Sequence, residues 1–442
     1  MTIAGSDSGS GAGIEADLKT FSALGVYGTC VITAVTAQNT TGVYEIFPIP
    51  ANIVKSQIET VLKDIKIEVA KTGMLYTGDV IGVVSEAIDR YSLKVIVDPV
   101  LKAGTGEDLI VWQDVDSLID LVISKAYLVT PNLYEAEVLS GIRIKNLEDM
   151  KKAAVKIKGL GAKAVLVKGG HLEGRIIHDV LYKDRKFKIF RKHRIDAKPH
   201  GGGCSFSAAI TGYLSLGENL LEAISKAELF IDEAIRFGLR VGKGKTPVNP
   251  LVHLYNEADK MRVLLEVEEA AQKICRCKDV WPFIAEVGTQ IGMALKYASS
   301  KNHIAAIDGR IVKCMDGIKA AGNIKFGASH HIANLLLQIM RYSSEVRAAI
   351  NLHYTPRLIK AFKKAGYVTA SFDRAEEPIK IKVVEGETLK WAVDDVVKRL
   401  GKVPDLIYDL GEVGKEPMIR VLGKSAIDAL RKILEAISFL EK

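Results

Sequence analysis

The chain has 442 residues, 48% of them hydrophobic and 26% charged, which predicts a globular protein of two or three domains. No apolar run approaches the ~18 residues that a membrane span requires, and the net charge of +8 is scattered along the chain, so neither a membrane nor a nucleic acid is an expected partner. Five cysteines without a C-x-x-C pair argue against a disulfide framework and favour a reducing, cytoplasmic setting.

Strands and helices are predicted to alternate over roughly the first 255 residues. β-branched runs predict strands at 28–37, 94–100, 126–132 and 163–170, and apolar spacings of three and four predict helices at 51–65 and 147–161. This alternation predicts an α/β fold with a mainly parallel sheet covered by helices on both faces. Ligands of such sheets lie beyond the carboxyl ends of the strands, so the residues that follow each strand are the candidate site.

The segment HGGGCSFSAAI (200–210) places three glycines directly before a cysteine and an amphipathic run. We expect a helix to begin around Gly203, where unpaired N–H groups and the helix dipole attract anions. A thiol at that position is expected to have its pKa lowered toward neutrality. The pattern predicts an anion site for a transferring phosphoryl group, with Gly201, Gly202 and Gly203 as donors and Cys204 as proton acceptor. A glycine-rich turn followed by a small buried cysteine is the competing interpretation.

Further short motifs follow the other predicted strands. They are TAQNT (36–40), TGML (72–75), VDPV (97–100), TPNLYEAE (130–137) and VKGGHL (167–172), and GSDSGSGAGIEADLKTF (5–21) opens a helix without matching a Walker or Rossmann loop. Together they resemble the hydroxymethylpyrimidine and phosphomethylpyrimidine kinases, members of the ribokinase-like family. The resemblance covers nearly all of residues 1–255, and the departures are Ser10, Glu15 and Gly202, where the family has Gly, Gln and Thr.

The resemblance implies an ATP-dependent kinase that uses Mg²⁺ and, like many ribokinase-like enzymes, forms a dimer. The implied roles are substrate binding for Gln38, Met74 and Asp17, phosphate binding for Lys168 and the glycines, and metal binding for Asp98 and Glu135. The residue types suit these roles, because an amide pairs with an aminopyrimidine and carboxylates hold Mg²⁺ largely through water. Met74 could equally be a core residue, Asp98 an exposed turn acid, Glu135 a helix N-terminal charge and Lys168 a solvated lysine. A different kinase of the family, such as one acting on pyridoxal, also remains open.

The segment GKGKTPVNP (242–250) and a helical stretch at 256–274 place a domain boundary near residue 260, giving domains 1–258 and 259–442. The second half contains EVGTQIGMALKYA (286–298), DGRIV (308–312), GNIKFGASHHIA (322–333) and PDLIYDLGEVGKEPMIRVLG (404–423). These motifs resemble the archaeal-type thiamine-phosphate synthase domain, which implies a second, smaller α/β domain that uses the kinase product.

The resemblance assigns Arg310 and His331 to the coupling chemistry, since an arginine fork suits pyrophosphate oxygens. His330 is the adjacent rival, although His331 borders the predicted buried stripe of the helix through Leu335. Arg374 and Lys415 are weaker phosphate candidates, and an exposed salt bridge within the segment DRAEE (373–377) is an equally good interpretation of Arg374. An alternative function for this half is a non-catalytic sensor of thiamine phosphates.

Overall fold

The computed structural model describes residues 1–315, 317–378, 381, 384 and 386–440. The chain divides into two compact units, Met1–His253 and Leu254–Lys442. The expected connecting helix is present as Val252–Arg276. The division of domains after residue 258 stays a prediction. Within the described ranges, no helix has the length and apolar content needed to cross a membrane.

The first unit is built on a nine-stranded sheet with the order β3-β2-β1-β4-β5-β6-β7-β8-β9. Strands β2, β1, β4, β5, β6 and β7 run parallel to one another, and β3, β8 and β9 are antiparallel additions. The bounds are β1 Thr2–Asp7, β2 Cys30–Asn39, β3 Gly42–Pro48, β4 Val69–Thr72, β5 Lys94–Val97, β6 Leu128–Val129, β7 Ala164–Val167, β8 Ile176–Lys183 and β9 Lys186–His193. A separate two-stranded ladder joins β10 Pro199–His200 to β11 Thr246–Pro247. The predicted mainly parallel sheet is confirmed, and four of its strands are those predicted from sequence.

Helices cover both faces of this sheet. Their bounds are α1 Gly13–Ala23, α2 Ala51–Asp64, α3 Gly78–Arg90, α4 Val115–Ser117, α5 Leu133–Ser140, α6 Leu147–Gly159, α7 Gly202–Ser215 and α8 Leu220–Arg236. The next helix, α9 Val252–Arg276, packs in the core of the second unit. On β5, Val95 and Val97 pack in the core beneath α2, α3 and α6, whereas Ile96 packs in the core beneath α7 and α8. Strands buried on both faces require the continuous apolar runs seen in the sequence.

The second unit has a seven-stranded sheet with the order β16-β13-β12-β17-β20-β19-β18 and a separate hairpin of β14 and β15. Apart from the parallel pair β18–β19, its neighbouring strands are antiparallel. The strands are β12 Ile291–Ala294, β13 Ile304–Ile307, β14 Ile311–Cys314, β15 Gly317–Ala320, β16 Ile324–Phe326, β17 Ala348–His353, β18 Thr369–Ser371, β19 Leu406–Asp409 and β20 Met418–Gly423. The helices are α10 His331–Ile339, α11 Pro356–Lys364, α12 Thr388–Leu400 and α13 Ala426–Ser438.

Both faces of the second sheet are also covered. Helices α9, α11 and α13 share one apolar core with it, and α10 and α12 share the other. The predicted stripe of Ile332, Leu335, Leu336 and Ile339 is buried in that second core, as expected. The expectation of a second, smaller α/β domain is confirmed.

Candidate active site

A cavity of about 970 Å³ opens in the first unit at the carboxyl ends of its parallel strands. The predicted site residues that line it are Gln38, Met74, Asp98, Glu135, Lys168, Gly201, Gly202, Gly203 and Cys204. They follow or end β2, β4, β5, β6 and β7, or begin α7, so the parallel sheet gathers residues that are up to 166 positions apart in sequence (204 − 38). Of the predicted residues in this half, Asp17 is absent from the lining.

The glycine run forms the start of α7, within one residue of the expected position. Gly201 is the N-cap residue, with φ 76° and ψ 9°, and the first intrahelical bond runs from the N–H of Ser205 to the carbonyl oxygen of Gly201 at 2.9 Å. The N–H groups of Gly202, Gly203 and Cys204 precede that bond and have no partner within the helix. A Cβ on Gly201 would lie 1.7 Å from the carbonyl oxygen of Gly11, so the left-handed backbone and the close approach both require glycine.

The predicted lowering of the Cys204 pKa is wrong. Burial raises the pKa of this thiol to about 11. The ammonium of Lys71 acts in the opposite direction, but the carboxylates of Asp17 and Asp98 add to the effect of burial. At this helix start, loss of water contact destabilises the thiolate more than the nearby ammonium stabilises it. The thiol is therefore neutral at neutral pH in this structure.

Lys168 and Asp98 form a buried ion pair at the floor of the cavity, with Nζ and Oδ1 2.9 Å apart. The Ser207 hydroxyl, one turn into α7, donates to the other oxygen of Asp98 at 3.3 Å. Burial alone would raise the pKa of Asp98, but the charges of Lys168 and Lys71 and these hydrogen bonds outweigh it and lower the pKa. A Cβ on Gly203 would lie 3.4 Å from Lys168 Nζ, which places the bare turn directly beside this cation.

Glu135 sits in the first turn of α5 and forms a capping box with Asn132. Burial raises the pKa of Glu135 to about 8, with the charge of Lys168 acting against the rise and that of Asp98 contributing to it. Two buried carboxyl groups facing one cavity fit Mg²⁺, because this ion takes one or two carboxylates together with water and substrate phosphates. Within the described residues, no three His, Cys, Asp or Glu side chains form a ready-made metal cage. The metal-binding roles of Asp98 and Glu135 stay predictions.

Gln38 and Met74 also line the cavity. The Gln38 amide nitrogen is 3.2 Å from Nε2 of His200, which in turn is 3.1 Å from Asp7 Oδ2. Met74 is nearly buried and packs with Ala34 and Leu109 while lining the cavity. It is therefore both a core residue and part of the cavity wall, and the two interpretations of its sequence position do not exclude each other.

The structure does not place Asp17 at the cavity surface, so a direct substrate contact by this side chain is not supported. Asp17 and Lys71 are both fully buried, and Asp17 Oδ2 lies 2.8 Å from Lys71 Nζ. Thr2 donates a second hydrogen bond to the same oxygen at 2.7 Å. Lys71 does line the cavity, and its charge acts on Cys204 and Asp98. Asp17 thus faces Lys71 because a buried ammonium needs a paired charge.

Sequence reasoning missed Asp7, Lys71 and His200. The Asp7 carboxylate accepts hydrogen bonds from the N–H groups of Gly9, Gly11 and Ala12, and so shapes the glycine-rich loop after β1. Asp7 ends a parallel strand, so the rule applied to the other strands would have found it. A lysine inside the buried run VAKT was a visible signal for Lys71, because an unpaired lysine is almost never fully buried.

In the second unit, Arg310 lies in the loop after β13 and His331 is the first residue of α10. Arg310 donates from Nη1 to the carbonyl oxygen of Val287 at 2.6 Å. His331 is exposed, and Ile332 beside it contacts the position where Gly292 of β12 would carry a Cβ. His330 is the N-cap residue, and its Nδ1 lies 3.3 Å from Lys301 Nζ. The roles of Arg310 and His331 stay predictions.

The two weaker phosphate candidates differ in environment. Lys415 is exposed and lies 3.6 Å from Glu412. Arg374 is largely buried and binds Asp409 at the end of β19, with Nε and Oδ1 2.7 Å apart. Arg374 is therefore not part of an exposed salt bridge within its own acidic segment, which was the competing interpretation.

The comparisons with known proteins agree with this division of the chain. A profile for the family described as phosphomethylpyrimidine kinase matches residues 7–249, and one described as thiamine-phosphate synthase ThiN matches residues 266–435. The bifunctional thiamine biosynthesis protein ThiDN of Methanocaldococcus jannaschii is 36% identical over 435 residues, which cover 98% of this chain and 97% of that protein. The chain belongs to this family of bifunctional thiamine biosynthesis enzymes.

Two further similarities concern the kinase unit of this family member. The hydroxymethylpyrimidine/phosphomethylpyrimidine kinase of Bacillus subtilis is 42% identical over 265 residues, covering 59% of this chain and 98% of that protein. The solved pyridoxal kinase from Staphylococcus aureus in complex with ADP has a TM-score of 0.54 and 36% identity, covering 57% of this chain and 93% of that one. The expected ribokinase-like fold of the first unit is thereby confirmed.

Proposed function

We propose that the first unit phosphorylates 4-amino-5-hydroxymethyl-2-methylpyrimidine and then its monophosphate with ATP. The second unit joins the resulting diphosphate to hydroxyethylthiazole phosphate, giving thiamine phosphate and pyrophosphate. The observation that carries the proposal is a single cavity that holds a bare helix start, a buried lysine and a side-chain amide, in a chain similar to a ThiDN protein over nearly its whole length. Kinase domains alone would leave the second half unexplained.

At the phosphate end, the chain's own residues would hold and neutralise the transferring group. The N–H groups of Gly202, Gly203 and Cys204 point out of the helix start, and Lys168 stands beside Gly203. Preorganised donors of this kind stabilise the charge that develops on the phosphoryl oxygens without any rearrangement. Mg²⁺, when bound by Asp98 and Glu135, would supply further charge neutralisation.

At the pyrimidine end, Gln38 would bind the ring through its amide, which has both donor and acceptor groups for an aminopyrimidine edge. Met74 would lie against the ring as a polarisable apolar surface. Because Gln38 contacts His200 in the structure, ring binding would replace that contact. Asp17 would act through Lys71, holding the ammonium that lies beneath Cys204 and Asp98.

Cys204 is the proposed acceptor of the substrate hydroxyl proton. Since the pKa of the thiol is about 11, the thiolate is a minor species at neutral pH. We therefore assign most of the rate enhancement to positioning and charge neutralisation, and a smaller part to proton transfer.

In the second unit we propose Arg310 and His331 as the residues that stabilise the departing pyrophosphate. The similarity over 98% of the chain to a bifunctional enzyme favours coupling over a thiamine-phosphate sensor, and it likewise favours the pyrimidine over pyridoxal. We also propose a homodimer, to be checked by light scattering. Unpaired cysteines in the described ranges support a reducing, cytoplasmic setting.

The proposed function is tested by supplying the purified chain with ATP, Mg²⁺, hydroxymethylpyrimidine and hydroxyethylthiazole phosphate. The expected product is thiamine phosphate, detected by chromatography after oxidation to a fluorescent thiochrome derivative. Omitting ATP but supplying the pyrimidine diphosphate should retain the coupling step. Product formation from pyridoxal at a higher kcat/KM than from hydroxymethylpyrimidine would contradict the kinase assignment, and absence of coupling would contradict the synthase assignment.

A further inference from the structure

One face of the second sheet carries a charged cluster inside an otherwise apolar core. Arg420 on β20 is paired in register with Asn351 on β17 and Ile407 on β19. Its chain neighbours Ile419 and Val421 pack in the core on the opposite face. The alternation of a β-strand therefore directs Arg420 toward the face that α10 and α12 cover, where it is 7% exposed.

A single buried carboxylate holds Arg420 and a second arginine. Asp409 accepts a hydrogen bond from Arg420 Nη1 at 2.8 Å and from Arg374 Nε at 2.7 Å. The backbone N–H of Gly411 donates a further bond to Asp409 at 3.0 Å. The Phe372 ring lies near both guanidinium groups, with its centroid 5.6 Å from Cζ of Arg374 and 5.7 Å from Cζ of Arg420. Carboxylate and ring together hold the two forks side by side.

The charges of this cluster do not balance. Two guanidinium groups and one carboxylate leave one positive charge that is largely out of water, which is unfavourable without a further partner. Glu377, a buried acid three residues after Arg374, has no hydrogen-bond partner within the described ranges, so it accepts no hydrogen bond from either arginine. Burial and the charge of Arg374 lower the pKa of Arg420 despite its contact with Asp409.

The two arginines have N–H groups that Asp409 does not engage. Each guanidinium has five donors, and Asp409 accepts from three of the guanidinium nitrogens. The side chains of Arg374 and Arg420 are 10% and 8% exposed, so each keeps a small contact with solvent. Two adjacent forks with a surplus positive charge match the charge and geometry of a phosphate group.

We propose that Arg374 and Arg420 bind a phosphate group of a substrate of the second unit, with Asp409 as the positioning residue between them. The proposal rests on the coupling function proposed above. The phosphate belongs either to the pyrimidine diphosphate, which leaves as pyrophosphate, or to hydroxyethylthiazole phosphate. Both present the same oxygens to the two forks, and kinetics separates them.

The test measures coupling by the full chain from supplied pyrimidine diphosphate, so that the kinase unit is not needed. Two constants are compared, the KM for hydroxyethylthiazole phosphate and the inhibition constant of inorganic pyrophosphate. For Arg374→Met we expect one of the two constants to rise about 10- to 100-fold, as for loss of a charge-assisted hydrogen-bond pair. The constant that rises identifies the source of the phosphate. Arg431→Met, on the exposed side of α13, is the matched control and should leave both constants unchanged.

Asp409→Asn is expected to change ligand binding in the direction opposite to Arg374→Met. The variant keeps both arginines and removes the negative charge that competes with the ligand, so the constant raised by Arg374→Met should fall several-fold even as the thermal stability falls. A purely structural cluster predicts weaker binding or no change in this variant. Unchanged constants in Arg374→Met, or weakened or unchanged binding in Asp409→Asn, would overturn the phosphate site while wild-type coupling persists. Absence of coupling in the wild type would instead overturn the proposed function.

Discussion

The turn before α7 offers a sharp test, because two adjacent glycines have different structural requirements. Gly201 has φ 76°, and a Cβ there would lie 1.7 Å from the carbonyl oxygen of Gly11. Gly202 is the first helical residue, and the nearest atom to its added Cβ is a carbon of Pro199 at 3.8 Å. Gly201→Ala should therefore damage the kinase unit, and Gly202→Ala should not.

The size of the effect follows from the two contributions at Gly201. A left-handed backbone costs an alanine about 1–2 kcal/mol, and overpacking against main chain adds about 1–3 kcal/mol. The sum of about 2–5 kcal/mol corresponds to a fall of roughly 5–20 °C in Tm for a unit of this size. At Gly202, alanine is a better helix former by at most about 1 kcal/mol, so stability should stay equal or rise slightly. The N–H groups of the turn are kept in both variants.

The assay follows the two activities of one sample after heating. The temperature at which half of the phosphorylation activity is lost should fall for Gly201→Ala, whereas that for coupling from supplied diphosphate should not. Gly202→Ala should match the wild type in both, and Gly202→Thr, which introduces the residue of the family pattern, should also be tolerated. Wild-type heat resistance and phosphorylation rate in Gly201→Ala would refute the requirement for glycine.

Three further outcomes are expected. Cys204→Ala should lower phosphorylation by about 10- to 100-fold and leave coupling intact. In the wild type, the pKa of the Cys204 thiol is raised to about 11, so its alkylation, followed by mass spectrometry, should increase with pH up to that value. An alkylation midpoint at or below about pH 8.5, the ordinary value for a free thiol, would contradict the burial of this thiol. Arg310→Ala should lower the coupling rate by about 100-fold with normal kinase activity, and equal coupling rates would favour a sensor. Lys71→Met should destabilise the kinase unit by about 3–5 kcal/mol by leaving Asp17 buried and unpaired, and Asp17→Asn in the same chain should restore part of that loss in a denaturant titration; no recovery would mean that the two act separately.

Much of the first unit could be predicted because its local patterns and its fold agree. The strands β4, β5 and β7 are buried on both faces, and β5 and β7 have the apolar runs that a central parallel strand requires. Strand ends then align by topology, so Asp98 and Lys168 could be brought together without any knowledge of distances. Asp98 follows β5 and Lys168 follows β7 at the same edge of the sheet, and the two side chains meet there at 2.9 Å.

The pKa of Cys204 and the position of Asp17 could not be obtained in the same way. A motif shows which groups precede a helix but not how much water reaches them, and desolvation decided the direction of the thiol pKa. Asp17 occurs on α1 between Ala16 and Leu18, and the sequence does not reveal that it faces a lysine 54 positions away. Burial and long-range pairing are tertiary properties that a local pattern does not contain.

The site residues of the second unit are also difficult to predict from sequence. Its sheet is mostly antiparallel, so functional groups are not restricted to residues that follow a strand, and Arg420 lies inside β20 with apolar neighbours on both sides. In sequence, MIRVLG predicts a strand with one misplaced charge. The register with β17 and β19 explains this charge, because it brings Arg420 to Asp409, the carboxylate that Arg374 also binds. A buried arginine in a strand is therefore a reason to look for a second charge and, where the two do not cancel, for an anionic ligand.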